Sequence, residues 1–419
     1  MIEERKTISY NKAADILLVL SFFLYTYRGN IGAMAAICSM IIRMSSRKIR
    51  VKHTKILLVA WGIYLSIFAI LLYFIRTVNF EMYVFIAYSF TVFNIFVDRQ
   101  IDFDYIIKLI YKGSIIYVVS VWLQFLLPGV YTLIIRVFFS SDIYYEIVRR
   151  MSNGYMTGFT REVAYVALII VAGLLYIVFF YKGKHKIPLA ILYLITLFIT
   201  GKKAHPVLAV IAIMLTYYLM TKNLKKHLKI WFGCLALLCL AVVTFPVWSN
   251  ISFMSRIVVF INGIQNGLDA NALTSGREVI YQRAFDLWSN NKMFGIGWEN
   301  FRSLGAYGTS EYTTWFKNYD IHNCYLQILC ETGIIGMIPF IVILLISFMT
   351  AIKKLRVQNS DGIRYSFAYF LFFWLYAVSE PCLFQDSYFI LLFLCIGEIV
   401  WNTKSKWTET DCKRKIEYD

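Results

Sequence analysis

The sequence predicts an all-α protein that crosses a membrane about twelve times. Its 419 residues are 59% hydrophobic and only 16% charged, whereas soluble domains are about 45–50% apolar and about 25% charged. Apolar runs long enough to cross a bilayer recur along the whole chain. Short basic segments separate alternate pairs of these runs. These observations together indicate a polytopic membrane protein.

Twelve apolar runs are predicted as spans. The 187–220 stretch is open to two interpretations, since it reads either as two full spans or as one broken pair. The runs centre on residues 13–27, 30–44, 56–75, 79–97, 109–127, 161–181, 187–200, 203–220, 230–246, 325–351, 365–380 and 387–401.

The basic segments predict the orientation of the chain. In this count they all fall on one side of the membrane, which is cytoplasmic by the positive-inside rule. Both termini are then cytoplasmic. The net charge of +17 therefore reports topology and does not indicate a nucleic-acid partner. The segments are Arg43–Lys55, Lys182–Lys186, Lys222–Lys229, Lys353–Arg356 and Lys413–Lys415.

Two long segments are predicted to lie outside the membrane. The first covers residues 128–160 and the second covers residues 247–322. A loop as long as the second is usually functional or disordered. Helix signals, glycine turns and aromatic residues indicate that this loop is ordered. The chain is therefore predicted as one transmembrane domain, residues 1–419, with one large ordered external loop.

Three cations on the predicted external side are candidate functional groups. Lys202 and Lys203 follow a predicted span, and Arg161 lies at the mouth of another. Basic groups at membrane depth cost several kcal/mol unless they are paired, so they are often functional. The alternative for the two lysines is that they extend toward lipid headgroups.

Arg277 is the candidate anion ligand of the large loop. Ser275 and Glu278 fit a capping box, which predicts a helix that begins here. An arginine in a first helical turn opposes the helix dipole, but it becomes favourable when an anion binds at the same place. The alternative is an ordinary surface arginine.

His322 is the candidate general base. It stands just before a helix predicted to begin near Asn323, and its imidazole titrates near neutral pH. The alternative is an interfacial polar cap, and His205 is a second, weaker candidate. Glu331 lies nine residues further on, roughly 13 Å deeper and on the opposite helical face. It is therefore predicted as the structural partner of a buried donor rather than of His322.

The remaining candidates have weaker signals. The glycines of the same helix, Gly333 and Gly336, are expected to let another helix approach closely. The pair Asp102 and Asp104 resembles a metal motif but is better explained as a solvated loop, so neither a metal nor a cofactor is expected. Four aromatic residues of the large loop suit either a sugar groove or the membrane interface. They are Trp298, Tyr312, Trp315 and Tyr319.

Two stretches and the topology resemble the O-antigen ligase and O-antigen polymerase superfamily. The stretches are "SGREVIYQRAFDLWSNNKMFGIGWENF" and "HNCYLQILCETGIIG". The resemblance implies a helical membrane domain of the GT-C type that binds an undecaprenyl-diphosphate-linked glycan externally. It also implies a transfer that inverts the anomeric centre and uses no metal.

The resemblance assigns roles to individual residues. His322 matches the loop histidine that activates the acceptor hydroxyl, and Arg277 matches the loop arginine that holds the diphosphate. Lys202 and Lys203 stand where the family usually has a second arginine, and lysine lacks the bidentate fork of arginine. Arg161 lies in a segment that also resembles the family pattern.

Three functions are compatible with the sequence. The first is a polymerase of lipid-linked polysaccharide repeat units, for O-antigen, capsule or exopolysaccharide. The second is a ligase that transfers finished polymer to a different acceptor, and the third is a lipid-linked oligosaccharide flippase or transporter. For the first two we expect a multi-pass protein of the bacterial cytoplasmic membrane with an external active site. Its expected partners are the lipid-linked oligosaccharide, membrane lipid, and the flippase and chain-length regulator of the same pathway.

Overall fold

The computed structural model confirms an all-α fold for the residues that it describes, in which the regular elements are α-helices. Predicted spans 56–75, 79–97 and 230–246 lie outside the described part of the chain, as does most of the large loop. The described residues are 2–27, 29–45, 101–221, 232, 263, 277–297, 300–301, 320–358, 360–382 and 386–401.

Twelve helices form the described part of the molecule. Three of them belong to the predicted external loops rather than to spans: α4, α5 and α9. In chain order the helices are α1 Ile2–Tyr25, α2 Gly29–Ser45, α3 Phe103–Leu126, α4 Pro128–Phe138, α5 Ser141–Ser152, α6 Val163–Phe179, α7 Lys186–Ile199, α8 Ala204–Met220, α9 Arg277–Asn290, α10 Cys324–Val357, α11 Asp361–Tyr376 and α12 Asp386–Trp401.

Two of the described helices are long and apolar enough to cross a membrane, by length and composition. They are α3 and α10, while α6, α7, α8 and the apolar parts of α2 and α12 are shorter apolar helices. The 187–220 stretch forms two helices, α7 and α8, joined by a short turn. The number of twelve spans stays a prediction.

Helix α6 lies at the centre of the bundle. Fifteen of its seventeen residues are buried, and it contacts α3, α7, α8, α11 and α12. A helix that is apolar on every side is stable only when other helices surround it. The central position of α6 therefore follows from its composition.

The helices alternate in direction and so define two ends of the bundle. One end, called here the site end, holds the turn after α7, the turn after α11 and the start of α10. The opposite end holds the pair of Lys182 Nζ with Asp361 Oδ2 at 2.8 Å. There Lys354 Nζ also donates to the carbonyl of Val400 at 3.1 Å. Cations predicted as external and cations predicted as cytoplasmic thus lie at different ends, and the sidedness itself stays a prediction.

A break in α10 receives the turn that follows α9. Gly333 has a φ of +64° and interrupts the helix. The N–H groups of Ile334 and Ile335 therefore bond to the carbonyls of Lys292 and Met293, at 3.0 and 3.2 Å. In return, the carbonyls of Cys330 and Glu331 accept from Ile296 and Gly297, at 3.0 and 2.9 Å. The turn and the break thus satisfy one another's backbone groups.

This contact corrects the expectation for the two glycines. A loop approaches Gly333, where another helix was expected, because an added Cβ there would lie 2.3 Å from the Met293 carbonyl oxygen. At Gly336 an added Cβ would meet the side chain of Thr332, one turn earlier in the same helix. Among the described residues, the atoms nearest an added Cβ thus belong to the turn after α9 at Gly333 and to α10 itself at Gly336.

Glu331 lies next to the same break and is fully buried. Its Oε1 accepts from the backbone N–H of Phe301 at 3.3 Å and from Gln327 Nε2 at 3.4 Å. The Phe301 bond holds the loop after α9 against α10, whereas Gln327 lies one turn earlier in α10 itself. Glu331 therefore contacts the kind of buried donors that its position in the sequence suggested.

We expect Gly333→Ala to destabilise the protein, because a left-handed backbone and a close carbonyl oppose a Cβ at this position. Strain of this kind costs about 1–3 kcal/mol, measurable as a lower Tm in detergent. Gly129→Ala in α4 is the control, since an added Cβ there meets nothing within 4 Å. Equal Tm values for the two variants would contradict the importance of the break.

Candidate functional site

Four chain segments meet at the site end. Lys202 comes from the turn after α7, Arg277 is the first residue of α9, His322 precedes α10, and Glu380 follows α11. Arg277, Lys202 and His322 were predicted from the sequence as site residues. Glu380 was not predicted, and it is the residue that the other three contact.

The Glu380 carboxylate is the centre of the cluster. Its Oε1 lies 2.8 Å from Lys202 Nζ and 3.4 Å from Arg277 Nη2, and its Oε2 lies 3.2 Å from His322 Nδ1. Only 7% of the residue is exposed. A carboxylate this deeply buried needs such partners in order to stay charged.

The partners determine the protonation state of Glu380. Burial by itself raises the pKa of this carboxyl group, but attraction to Lys202 and the hydrogen bond with His322 outweigh it. The net effect is a pKa below the usual range of a glutamate. Glu380 is therefore an anion at neutral pH.

A glycine turn places Lys202. Gly201 has a φ of +79°, and an added Cβ would lie 2.9 Å from the Gly154 carbonyl oxygen. The backbone N–H of Met156 also bonds to the carbonyl of Thr200 at 3.2 Å. The turn is thus held against the second predicted external loop, and Lys202 points at Glu380.

Arg277 joins α9 to the turn after α11. Its Nη1 donates to the Ser379 carbonyl at 2.7 Å while Nη2 contacts Glu380. Helix α9 is itself fixed, because Ile280 and Ala284 pack in a small core with residues of α10 and its flanking loops. The predicted helix does begin in this segment, although Ser275 of the predicted capping box lies outside the described residues.

His322 is held by its backbone and by one ring nitrogen. Its φ of +52° is unusual for a residue other than glycine, and Tyr281 donates to its carbonyl at 3.1 Å. Asn323 then caps α10 by accepting from the Leu326 N–H at 3.0 Å. Because Nδ1 faces the carboxylate, the neutral ring carries its proton there. Nε2 is then the nitrogen with a free lone pair.

The other two predicted cations lie at the same end of the bundle, before α6 and α8. Lys203 precedes α8, and partial burial lowers the pKa of its ammonium group. Arg161 donates from Nη2 to the Tyr165 hydroxyl at 3.3 Å, and its guanidinium carbon lies 5.6 Å from the centre of that ring. In the described part of the chain neither cation is among the ion-pair partners of Glu380.

The structure argues against His205 as the base. The side chain is fully buried, with Nε2 against the Tyr388 hydroxyl and the ring centre 4.3 Å from that of Tyr376. The Tyr388 hydroxyl donates to the Ala164 carbonyl at 2.8 Å. His205 therefore ties α8 to α6 and α12, and a substrate hydroxyl cannot reach it.

The remaining candidates take no part in the described cluster. Asp102 caps α3 by accepting from the Tyr105 N–H at 3.1 Å. Among the described residues no group of three or more His, Cys, Asp or Glu side chains could hold a metal ion. The four candidate glycan ligands, Trp298, Tyr312, Trp315 and Tyr319, lie outside the described residues.

A signal for Glu380 was present in the sequence. The predicted span 365–380 was drawn through it, but α11 ends at Tyr376, and Glu380 lies in the turn beyond. An ionisable side chain within a predicted span is costly unless it is paired, so Glu380 met the same criterion that selected Lys202.

The arrangement has the parts needed for transfer from an anionic leaving group. Two fixed cations face one carboxylate, so the cluster keeps a surplus positive charge beside His322. The surplus suits a phosphate-like anion. The ring nitrogen that faces away from Glu380 suits the removal of a proton from a hydroxyl.

The described residues form a helical bundle with two candidate membrane spans and a polar cluster at one end. Residues 188–341 match the family model described as O-antigen ligase. The match covers somewhat more than a third of the chain and supports the resemblance to the O-antigen ligase and polymerase superfamily. It includes Lys202, Arg277 and His322, whereas Arg161 and Glu380 lie outside it. No curated protein matches the chain.

Replacing Glu380 by Gln should lower the Tm by about 2–5 °C, because Lys202 and Arg277 lose their counter-ion. A depressed pKa stabilises the fold above the carboxyl pKa of the unfolded chain, about 4.3, and this stabilisation is lost as the pH falls toward the folded pKa. The Tm difference from wild type should therefore persist between about pH 7 and pH 5 and shrink below about pH 4. A difference that already disappears at about pH 6 would contradict a charged Glu380.

Proposed function

We propose that this protein transfers glycan from a polyprenyl diphosphate carrier to a sugar hydroxyl of a second molecule. The observation that carries the proposal is the contact of His322 Nδ1 with the Glu380 carboxylate, on which Lys202 and Arg277 also converge. A base beside a cationic site is what an inverting displacement of a diphosphate requires.

In the proposed reaction His322 Nε2 takes the proton of the acceptor hydroxyl. The hydroxyl oxygen forms a bond to the anomeric carbon from the face opposite the leaving group. The bond from that carbon to the diphosphate oxygen breaks, and its electron pair leaves on the diphosphate. The anomeric centre is thereby inverted, and no metal takes part.

Glu380 couples the two charges that the reaction creates. It keeps the proton of neutral His322 on Nδ1, and it becomes the counter-ion of the imidazolium that forms. At the same time the departing diphosphate gains negative charge. Lys202 and Arg277 stabilise this charge as their contact with Glu380 is relaxed. Lys203 and Arg161 add further positive charge at this end of the bundle.

The first candidate is the polymerase of lipid-linked repeat units, since it is the more diverse branch of the superfamily. The acceptor is then the sugar hydroxyl of a second undecaprenyl-diphosphate-linked unit. The ligase-type transferase uses the same chemistry on a different acceptor. A transporter is disfavoured, because transporters place charged groups near the middle of the bilayer, whereas these groups gather at one end.

The proposed location is the bacterial cytoplasmic membrane, with both termini cytoplasmic and the site external. Basic segments at the opposite end of the bundle, such as Lys182–Lys186, support this orientation. The flippase and chain-length regulator of the same pathway are the proposed partners, because a polymerase needs its substrate delivered to the external face.

Incubation of the purified protein with lipid-diphosphate-linked repeat unit alone tests the proposal. Chain growth on a gel indicates the polymerase, and reaction only after addition of a second acceptor indicates the ligase. His322→Ala should be inactive in both assays, because no base remains to take the hydroxyl proton. A normal product ladder from this variant would refute the assigned role of His322.

Arg277→Lys should lower kcat/KM by about tenfold to a hundredfold, since lysine cannot hold the Ser379 carbonyl and an anion through one planar fork. Arg149→Lys in α5 is the matched control, because Arg149 also approaches a carboxylate, Glu146, but its side chain is 74% exposed. Equal losses in the two variants would exclude a diphosphate role for Arg277.

A further inference from the structure

Helix α4 carries an apolar stripe that no described residue covers. Val130, Leu133 and Val137 are 47%, 68% and 80% exposed. Their spacing of three and four residues places them on one face of the helix. A soluble surface rarely exposes such side chains in a continuous row.

The opposite face of α4 is packed. Tyr131 and Ile135 are fully buried and form a small core with Phe139, Ile147 of α5 and their neighbours. Helix α5 is different in character, because it exposes polar groups such as Asp142 and Arg149. Apart from Tyr145 of α5, the exposed large apolar side chains in the described part of this loop therefore lie on α4.

The stripe continues the outer surface of α3. That helix could span a membrane by length and composition, and it exposes Ile116, Val119 and Leu126. Its 24 residues cover roughly 36 Å, more than the roughly 30 Å of a hydrocarbon core. The end of α3 therefore reaches the membrane interface. Helix α4 begins there, after a non-helical residue at Leu127.

We propose that α4 is an interfacial helix that lies on the membrane and buries Val130, Leu133 and Val137 among the acyl chains of the outer leaflet. The partner is bilayer lipid, because the stripe continues a lipid-facing span without an intervening polar segment. An amphipathic helix of this kind lies in the boundary between headgroups and acyl chains. Residues 128–138 then belong to the membrane and not to an aqueous loop.

The position of α4 at the membrane interface fixes how far the candidate site lies from the acyl chains. The Tyr131 hydroxyl of α4 donates to the Gly158 carbonyl. The backbone N–H of Gly158 in turn donates to Gln124 Oε1 of α3 at 2.8 Å. In the same segment the backbone N–H of Met156 donates to the Thr200 carbonyl, beside the turn that carries Lys202. A helix held at the interface therefore holds Lys202 at a defined height above the acyl chains, where a lipid-linked diphosphate lies.

Photolabelling tests this proposal without an activity assay. The full-length protein is placed in nanodiscs of phosphatidylethanolamine and phosphatidylglycerol with a phospholipid that carries a diazirine on its acyl chain. After irradiation, peptide mapping should find lipid adducts on α4 at Leu133 and Val137. Adducts at Ile116 and Val119 of α3 serve as the internal standard. Adducts on α3 without any on α4 would overturn the proposal.

A pair of matched variants sharpens the test. Leu133→Lys with Val137→Lys should reduce the α4 adducts several-fold relative to those on α3, because charge opposes burial among acyl chains. Asp142→Lys with Ser152→Lys, on exposed positions of α5, should leave them unchanged. Unchanged adducts in the first variant would contradict the proposal. Labelling does not depend on catalysis, so its failure is distinct from failure of the proposed glycosyltransferase.

Discussion

The site depends on one buried negative charge. Without Glu380, the ammonium group of Lys202 and the guanidinium group of Arg277 would approach one another with no counter-ion between them, at a cost that partial burial makes large. With it, three segments far apart in the chain are drawn to one carboxylate at 2.8–3.4 Å. The same contact orients the ring of His322. One acid therefore organises both His322 and the cations.

Two backbone devices bring these groups within reach of the acid. The left-handed Gly201 lets the turn after α7 pass close to the second loop and turn Lys202 inward. The break at Gly333 lets the turn after α9 dock into α10, so that Arg277 and His322 share one rigid unit. Both devices use glycine where a side chain would collide with a carbonyl oxygen. The backbone at Gly201 and Gly333 thus places the segments from which the charged side chains extend.

The sequence predicted the structure best where one short segment contains the whole signal. The helices at Arg277 and Asn323 begin within the segments predicted for them, because caps and apolar periodicity are local. The second candidate base that the sequence predicted, His205, is buried against Tyr376 and Tyr388. The sequence argument missed Glu380, because hydrophobicity alone does not mark where α11 stops.

The sequence by itself predicted the helical class of the protein and three of the four residues that form the described cluster. Composition, charge bias and capping signals act over a few residues, so they can be read without a structure. Only the tertiary structure decided which charges meet, because Lys202 and Glu380 lie 178 residues apart. Such a pairing depends on how the helices around α6 pack and on the docking of the α9 turn at Gly333, and no local pattern encodes either one.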